Sequence, residues 1–465
     1  MISTTLDWIA GKVDGSLQGE NLEISSVSTD TRKIVAGDLF IALTGPNFDG
    51  HEFIQQAIDK GAVAAIVDHW VDVPVPQIKV SDTKLALGRL GAAVKEEVNP
   101  RTVGITGSCG KTTVKEMVAS ILSCRGNVLA TEGNFNNDIG VPLTLLRLDK
   151  THDFAVVEMG ANHRGEIAYT CGLVNPDVST IVNAAASHLE GFGSLLGVAR
   201  AKGEIFKGLR DGGKAILNLD SQFYEFWKGK SAHAVQETFS MEQMADYMPD
   251  EVTLGMNGCA QFDLRTPQGS VWVDLPIPGM HNVNNALVAA ALAMSVGATL
   301  EDVKMGLQNM QQIHGRLNVK QLTNQVRLLD DTYNANVASV NAAIDLLGSF
   351  SGRRILVLGD MAELGEKARY YHEQVGEYAK QGGIDRMYTL GVLSQHSSDM
   401  MEARGKHFTD VDELVAQMTE DLRNEKCDLS ILVKGSRSAR MERVVSALEE
   451  SPLGKLERFR GLMAC

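Results

Sequence analysis

The sequence lacks three features, and each absence excludes a class of protein. No stretch approaches the roughly 20 consecutive apolar residues of a membrane-spanning helix, and the N-terminal residues lack the basic and then apolar segments of a secretion signal. The six cysteines form no C-x-x-C pair and no zinc-finger spacing, so we expect neither a disulfide framework nor a structural zinc site. Together these absences predict a cytoplasmic protein with free thiols and no membrane anchor.

Positive charge is also scarce. The 465 residues include 44 Lys and Arg against 58 Asp and Glu, which gives a formal net charge of -14 at pH 7. Nucleic acids and anionic membrane surfaces are bound through an extended basic field, so we expect no nucleic-acid partner. An anionic ligand would therefore have to bind at a locally basic site.

The order of the predicted elements indicates an α/β protein with three domains. Residues 1–82 alternate short β-rich runs with a helix and predict a small N-terminal α/β domain. Residues 83–316 predict a central parallel sheet that carries a phosphate loop, and residues 317–465 predict a Rossmann-like C-terminal domain. Ligands of parallel α/β sheets bind beyond the carboxyl ends of the strands, so we expect the functional side chains there.

The stretch GITGSCGKTT, residues 104–113, is a candidate phosphate loop. It joins the end of a strand predicted at 102–106 to the start of a helix predicted to begin near Lys111. Strand, glycine-rich loop and helix is the order that a phosphate loop requires. The common spacing G-x-x-x-x-G-K-[ST] fails, because it puts the first glycine at Ile105. If the loop binds phosphate, Lys111 contacts the anion and the Thr112 hydroxyl reaches Mg2+. The alternative is a glycine turn that caps a helix.

Two further side chains should lie at the same edge of the central sheet. Glu158 closes the apolar strand predicted at 154–158, where an acid could bind Mg2+ directly or through water. His188 follows the strand predicted at 177–183, and a neutral imidazole is a good metal ligand. The alternatives are a carboxylate that only forms a turn and a loop histidine with a structural role.

Lys202 falls inside an apolar stripe with helical spacing, formed by Leu195, Val198, Ala199, Ile205, Phe206 and Leu209. A lysine on a buried face must pair with an anion, lose its charge through a lowered pKa, or extend its amine to solvent. A neutral amine can also react with carbon dioxide and form a carbamate, which is a carboxylate-like metal ligand.

Four more residues are candidates for contact with a nucleotide. Asn282 opens a predicted alanine-rich helix, where it could cap the helix or present its amide to an adenine edge. Arg316 and Asp331 fall at the junction of the predicted central and C-terminal domains, and ligands often bind at such junctions. Cys109 lies among the loop amides at the start of a helix, which predicts a reactive thiol.

Eight motifs, taken together and in this order, resemble the Mur ligases of peptidoglycan synthesis: GITGSCGKTT, EMGANHRGEI, AASHLEGFGS, ARAKGEIF, PGMHNVNNALVAAA, HGR, DDTYNAN and VKGSRS. The resemblance covers essentially the whole chain and includes the three-domain layout. In that family the loop reads T-G-x-x-G-K-[ST], which residues 106–112 satisfy. The failed glycine count is therefore a mark of the family.

The resemblance implies an ATP-dependent, ADP-forming ligase. ATP would phosphorylate the terminal carboxylate of UDP-N-acetylmuramoyl-tripeptide, and the amine of D-alanyl-D-alanine would attack the acyl phosphate and release phosphate. Residues 1–82 would bind the UDP group, residues 83–316 ATP, and residues 317–465 the dipeptide. The implied cofactors are ATP and two Mg2+ ions, the implied partners are the two small-molecule substrates, and the chain would act as a monomer.

The resemblance also implies a role for each candidate residue. Catalysis would involve Lys111, Glu158, His188 and Lys202, and the metal ligands would be Thr112, Glu158, His188 and Lys202 as its carbamate. The ATP site would comprise Thr106, Gly107, Ser108, Cys109, Gly110, Lys111, Thr112, Thr113, Asn282, Arg316 and Asp331. The other substrate would be bound by Ser28, Thr31 and Arg32 near the UDP group and by Asn134 and Asn137 near the peptide carboxylate.

Three alternative functions stay open on the sequence. The predicted C-terminal domain lacks the D-N-P-[RA] motif of family members that add a single diamino acid, which favours the dipeptide. A ligase similar to folylpolyglutamate synthase would share the ATP loop but not the DDTYNAN and VKGSRS context. A protein that binds ATP only as a conformational switch would release ADP equally with and without the dipeptide, whereas a ligase needs both substrates.

Overall fold

A computed structural model describes residues 1–187, 189–311, 315–425 and 427–455. Its three main sheets are formed by residues 16–79, 101–239 and 318–434, which confirms the predicted α/β class and the three-domain architecture. Within the described ranges, no helix combines the length and apolarity needed to cross a membrane. Five cysteines are free, as predicted, and Cys465 lies outside the described residues.

The first unit, residues 1–82, contains the strands β1 Thr4–Thr5, β2 Ser16–Gln18, β3 Glu23–Ile24, β4 Val27–Ser28, β5 Leu39–Ile41, β6 Thr44–Gly45, β7 Phe48–Asp49, β8 Ala64–Val67 and β9 Gln77–Lys79, and the helices α1 Leu6–Lys12 and α2 Ile54–Asp59. The main sheet has the order β2-β9-β8-β5-β4. β2 is antiparallel to β9, and the other neighbours are parallel.

The central unit begins with α3 Thr83–Val98, β10 Arg101–Thr106, α4 Lys111–Ser123, β11 Val128–Ala130, α5 Gly140–Leu145, β12 Phe154–Glu158, α6 Glu166–Val174, β13 Val178–Ile181, α7 Leu189–Phe192, α8 Leu195–Lys202, β14 Lys214–Asn218, α9 Tyr224–Lys230 and β15 Val235–Phe239. These strands form a parallel sheet with the order β11-β12-β10-β13-β14-β15. The strands predicted at 102–106 and 154–158 are confirmed.

The rest of the central unit comprises β16 Met248–Leu254, β17 Cys259–Thr266, β18 Gly269–Pro278, α10 Met280–Ser295 and α11 Leu300–Gln308. β17 and β18 form an antiparallel hairpin. β16 completes an antiparallel sheet and was not predicted, because its residues are half-buried or exposed and show no apolar alternation.

The third unit contains β19 Asn318–Gln321, β20 Val326–Asp331, α12 Val337–Gly348, β21 Arg353–Gly359, α13 Ala368–Gln381, β22 Arg386–Leu390, α14 Gln395–Met400, β23 Gly405–Phe408, α15 Val411–Leu422, β24 Leu429–Lys434, α16 Glu442–Glu450 and α17 Pro452–Lys455. The sheet order is β19-β20-β24-β21-β22-β23, with only the β19–β20 pair antiparallel among the paired strands described.

The boundary predicted at 82/83 crosses a continuous hydrophobic core. Ile9 and Leu39 of the first unit belong to the same buried cluster as Leu87 of α3 and Val157 of the central sheet. Helix α3 contacts α1 as well as α5 and α6. The boundary at 82/83 therefore stays a prediction. The boundary at 316/317 also stays a prediction.

Close packing against α10 and α11 fixes the position of α4, the helix that follows the phosphate loop. The alanine-rich α10 is buried from Ala286 to Ala293 and packs against α4. A Cβ atom at Gly306 of α11 would lie 2.4 Å from the Cα atom of Ile121 in α4, so only glycine allows these two helices to approach so closely. The position of α4 in turn fixes the loop at its start.

Candidate active site

A cavity of about 680 Å³ lies between the central and third units. Its walls come from the phosphate loop, the carboxyl ends of β12 and β13, α10 and the segment that follows β20. Among the described residues, the charged side chains around it are five basic and three acidic: Lys111, Lys202, Lys434, Arg316, Arg437, Glu158, Glu166 and Asp331. A chain with a net charge of -14 thus has a locally basic cavity, as the sequence argument required.

The phosphate loop connects β10 to α4. Gly110 has φ 78°, a left-handed conformation that favours glycine, and α4 begins at the next residue, Lys111. The Cys109 N–H donates to the Asn183 Oδ1 (2.9 Å), and the Ser108 N–H donates to the Asn183 backbone oxygen (3.1 Å). Asn183 was not predicted as a site residue, although it ends the segment predicted as the strand 177–183.

The predicted loop residues divide into two groups. Ser108, Cys109, Gly110, Lys111, Thr112 and Thr113 line the cavity, whereas Thr106 and Gly107 do not. Thr106 is fully buried at the end of β10. The Lys111 Nζ donates to the backbone oxygen of Gly107 (2.8 Å) and so lies over the loop.

Glu158 and Thr112 meet inside the cavity, as the sequence predicts. Glu158 is 2% exposed, and its Oε2 accepts a hydrogen bond from the Thr112 hydroxyl (2.9 Å). Its Oε1 accepts from the Asn136 side-chain amide (2.8 Å), and Arg316 donates to the Thr112 Oγ1 (3.0 Å). Asn136 was not predicted, although the nearby Asn134 and Asn137 were.

Lys202 is 2% exposed in the last turn of α8 and lines the cavity. Burial, together with the nearby Lys111 cation, lowers the pKa of Lys202 to about 7, while Cys109 and Glu158 act in the opposite direction. The alternative that its amine extends to solvent is wrong. A pKa of about 7 means that the amine is partly neutral near pH 7, so the structure favours a partial loss of charge.

The prediction for His188 lies outside the described residues and stays a prediction.

Asn282 lines the cavity from α10 and is 4% exposed. The alternative that it caps the helix is wrong, because α10 begins two residues earlier, after Gly279. Its Nδ2 donates to the Pro278 backbone oxygen (2.7 Å), and its Oδ1 accepts from the Asn285 amide (2.9 Å). These bonds hold its side-chain amide in one orientation.

Arg316, at the predicted end of the central domain, and Asp331, of the third unit, both line the cavity. The Arg316 guanidinium lies 4.4 Å from the centre of the Tyr333 ring, a distance typical of a cation–π contact. Asp331 forms an ion pair with the buried Lys434, whose Nζ also donates to the Asn334 backbone oxygen (2.9 Å). Tyr333 and Lys434 were missed as individual site residues, although both lie in quoted motifs.

The residues predicted for the UDP-linked substrate fall in two places. Asn134 and Asn137 line the cavity. Ser28, Thr31 and Arg32 lie in the first unit outside it, and the Arg32 side chain is 86% exposed and paired with Asp30. The two places adjoin, because the Nζ of Lys33, the residue after Arg32, lies 5.7 Å from the centre of the Phe135 ring.

A group of potential metal ligands in the first unit has a structural explanation. His51, Asp68 and His69 have ligand atoms within 4.8 Å of one another. The His51 Nδ1 hydrogen-bonds the Asp49 carboxylate (2.6 Å), and its Nε2 accepts the Asp68 N–H (3.1 Å). Both nitrogens of this buried ring are therefore already satisfied.

Cys109 joins the phosphate loop to the third unit. Its Sγ donates to the Oδ1 of Asn336 (3.2 Å), and the same oxygen caps α12 by accepting the Ser339 N–H (3.0 Å).

Alkylation of Cys109 should remove most of the activity. The added group would occupy the part of the cavity where the loop faces the phosphate, and it would separate the loop from α12. ATP should protect the thiol. Activity during iodoacetamide treatment, with the modified cysteine located by peptide mass, tests this expectation. The matched control is Cys109→Ser, which should become insensitive. Full activity after complete modification of Cys109 would contradict it.

Comparison with known proteins places these features in a family. Three family models match the chain in order: "Mur ligase family, catalytic domain" at residues 23–103, "Mur ligase middle domain" at 105–293, and "Mur ligase, glutamate ligase domain" at 315–437. The UDP-N-acetylmuramoyl-tripeptide–D-alanyl-D-alanine ligase of Escherichia coli is 49% identical over 97% of this chain and 99% of that protein.

Solved structures agree with these matches. The crystal structure of MurF from Acinetobacter baumannii has a TM-score of 0.93 and 37% identity, and covers 97% of this chain and 99% of that one. The MurF ligase from Thermotoga maritima in complex with ADP has a TM-score of 0.82 and 27% identity, and covers 93% and 98% of the two chains. On these matches, this chain belongs to the Mur ligase family.

Proposed function

We propose that the chain is an ATP-dependent, ADP-forming ligase that joins D-alanyl-D-alanine to UDP-N-acetylmuramoyl-tripeptide in peptidoglycan precursor synthesis. The observation that carries the proposal is the meeting of a phosphate loop, the buried Glu158 and the buried Lys202 in one cavity, with the third unit forming the opposite wall. The names of full-length relatives, including the Escherichia coli ligase, support the choice of substrates.

The reaction begins when a carboxylate oxygen of the tripeptide attacks the γ-phosphorus of ATP, and the bond to ADP breaks. The dipeptide amine then attacks the carbonyl carbon of the acyl phosphate. Its proton is lost, the carbon–oxygen bond to phosphate breaks, and an amide forms. Two anions must approach each other in the first step. Lys111 and the loop amides reduce their repulsion by facing the transferred phosphate.

Thr112 and Glu158 fit Mg2+, because they offer a hydroxyl and a carboxylate oxygen 2.9 Å apart, and Mg2+ prefers oxygen ligands. The ion would supply positive charge to the phosphate oxygens. We assign the ATP site to the predicted residues from Ser108 to Thr113, which line the cavity, together with Asn282, Arg316 and Asp331. Thr106 and Gly107, which do not line it, would support the loop.

A carbamate at Lys202 is a further part of the proposal. A neutral amine can attack carbon dioxide, losing one proton and becoming a carboxylate-like group, and the lowered pKa of about 7 keeps much of Lys202 neutral near pH 7. The carbamate would face Lys111 and, with His188, would hold a second Mg2+. The support for this modification is the burial and position of Lys202.

The remaining assignments follow the same scheme. We assign the UDP group to the first unit at Ser28, Thr31 and Arg32, the peptide carboxylate to Asn134 and Asn137, and the dipeptide to the third unit. The proposed place of action is the cytoplasm, where free thiols such as that of Cys109 stay reduced, and the proposed active form is a monomer.

The test is incubation with ATP, UDP-N-acetylmuramoyl-tripeptide and one amine at a time, followed by measurement of product mass and of ADP release. We expect an amide product with D-alanyl-D-alanine and little ADP until both substrates are present. A product only with a single amino acid would indicate another ligase of the family. Equal ADP release with and without the dipeptide would indicate an ATP-driven switch and overturn the ligase proposal.

A further inference from the structure

Lys115 is a second buried lysine near the phosphate loop. It lies one helical turn after Lys111 in α4 and is 2% exposed. Its Nζ donates to the backbone oxygen of Thr131 (2.5 Å) and pairs with the Glu116 carboxylate (2.6 Å). A buried cation without partners is strongly destabilising, so the Thr131 carbonyl is held against this amine.

Thr131 connects Lys115 to the backbone of Glu158. Thr131 is 1% exposed and directly follows β11. Its Oγ1 accepts the Glu158 N–H (3.0 Å), and its own N–H donates to the Val156 backbone oxygen (3.0 Å). The residue held by Lys115 therefore helps to fix the end of β12, which also pairs with β10 through Ile105.

The segment that follows Thr131 also contacts the Glu158 side chain. The Asn136 amide donates to the Glu158 Oε1 (2.8 Å), and the Asn136 backbone oxygen accepts the Gly160 N–H (2.8 Å). The segment 131–136 thus holds Glu158 at its backbone through Thr131 and at its carboxylate through Asn136. Lys115 fixes the first of these two points.

We infer that Lys115 is a positioning residue for the metal carboxylate. By holding Thr131, Lys115 orients Glu158 toward Thr112, although it does not line the cavity itself. The inference rests on the proposed function, which makes Glu158 a ligand of Mg2+.

The test is Lys115→Met, which keeps a long side chain and removes the bond to Thr131. Binding of Mn2+ in the presence of ATP, measured by electron paramagnetic resonance, reports the metal site without turnover. Loss of an outer-shell partner typically costs about 10- to 100-fold in metal affinity or activity, and we expect that loss in Mn2+ affinity and in kcat. The KM for D-alanyl-D-alanine should stay unchanged.

Lys95→Met is the matched control. Lys95 is also buried, at 6% exposure, and its Nζ donates to a backbone oxygen, that of Asn175 (3.0 Å), away from the cavity lining. This variant should lower the melting temperature but leave Mn2+ affinity and kcat unchanged. Thr131→Val, which removes the hydroxyl, should reproduce the Lys115→Met defect, and Thr131→Ser, which keeps it, should behave like the wild type.

Wild-type Mn2+ affinity in Lys115→Met or in Thr131→Val would overturn the inference, and so would an equal loss in Lys95→Met. If Lys115→Met does not fold, the two Thr131 variants decide the question. A wild-type chain that binds Mn2+ with ATP but forms no amide would overturn the proposed function instead, so the two failures are distinguishable.

Discussion

Replacement of Lys202 by alanine should lower kcat by on the order of 100-fold or more, which is the range seen when one group that stabilises transition-state charge is lost. Lys202 is 2% exposed and lines the same cavity as Lys111 and Glu158. If its working form is a carbamate, the alanine variant loses a negative group where two cations should bind. Added acetate or formate should restore part of the activity, because a small carboxylate can occupy the vacated volume.

Two variants serve as controls for this result. Lys202→Met removes the amine but fills the volume, so short acids should not rescue it. Lys95→Ala removes another buried lysine whose pKa is lowered by burial, and it should keep kcat near the wild-type value. Unchanged kcat in Lys202→Ala would remove Lys202 from the site, and a loss that no small acid restores would count against the carbamate.

The lowered pKa of Lys202 also sets a direction for the pH dependence. Below about pH 7 the amine is protonated and cannot attack carbon dioxide, and above this pH the neutral form increases. The carbamylated fraction, measured by 13C NMR with labelled bicarbonate, should therefore rise as the pH increases through about 7. A signal that does not change across this range would contradict the role of burial at Lys202.

Replacement of Glu158 by alanine should also cost on the order of 100-fold or more in kcat. Its carboxylate accepts hydrogen bonds from Thr112 and Asn136, so the substitution would leave both donors without their partner, and it would also remove the proposed metal ligand. Glu158→Gln keeps the shape and removes the charge. It should be impaired to a similar extent if charge at the metal is what matters.

Asp302→Asn is the matched control for Glu158. Asp302 is a buried carboxylate that caps α11 and does not line the cavity. Its replacement should reduce the free energy of unfolding, since a helix cap is typically worth about 1 kcal/mol, but it should not change kcat. Near-normal turnover in Glu158→Ala would show that Glu158 is not a metal ligand.

Local sequence signals predicted the elements around the phosphate loop with accuracy. The strand ending at Thr106, the helix beginning at Lys111 and the strand ending at Glu158 all lie where apolar runs and glycine positions placed them. These features depend on neighbours within a few residues, which a sequence shows directly. Strand β16 was missed because its half-exposed residues carry no such pattern.

The partners of the site residues could not be predicted in the same way. Asn136 was passed over although it contacts Glu158, and Asn183 was passed over although it holds the loop. Asparagine is common in turns, so its presence in a loop does not indicate a contact. Only the parallel register, which places Ile105 beside Glu158, brings these separate segments to one edge of the sheet.

The sequence by itself determined the family and the α/β class and predicted the chemistry of the candidate site, because each is encoded in short motifs whose order is fixed along the chain. The tertiary structure decided which of those motifs meet. Arg316 reaches Thr112 across 204 residues, and Cys109 reaches Asn336 across 227. The tertiary structure also decided the state of Lys202, since an apolar stripe shows only that a lysine lies on a buried face. Its distance from solvent and from Lys111, which sets its pKa, depends on how the whole sheet and its helices pack.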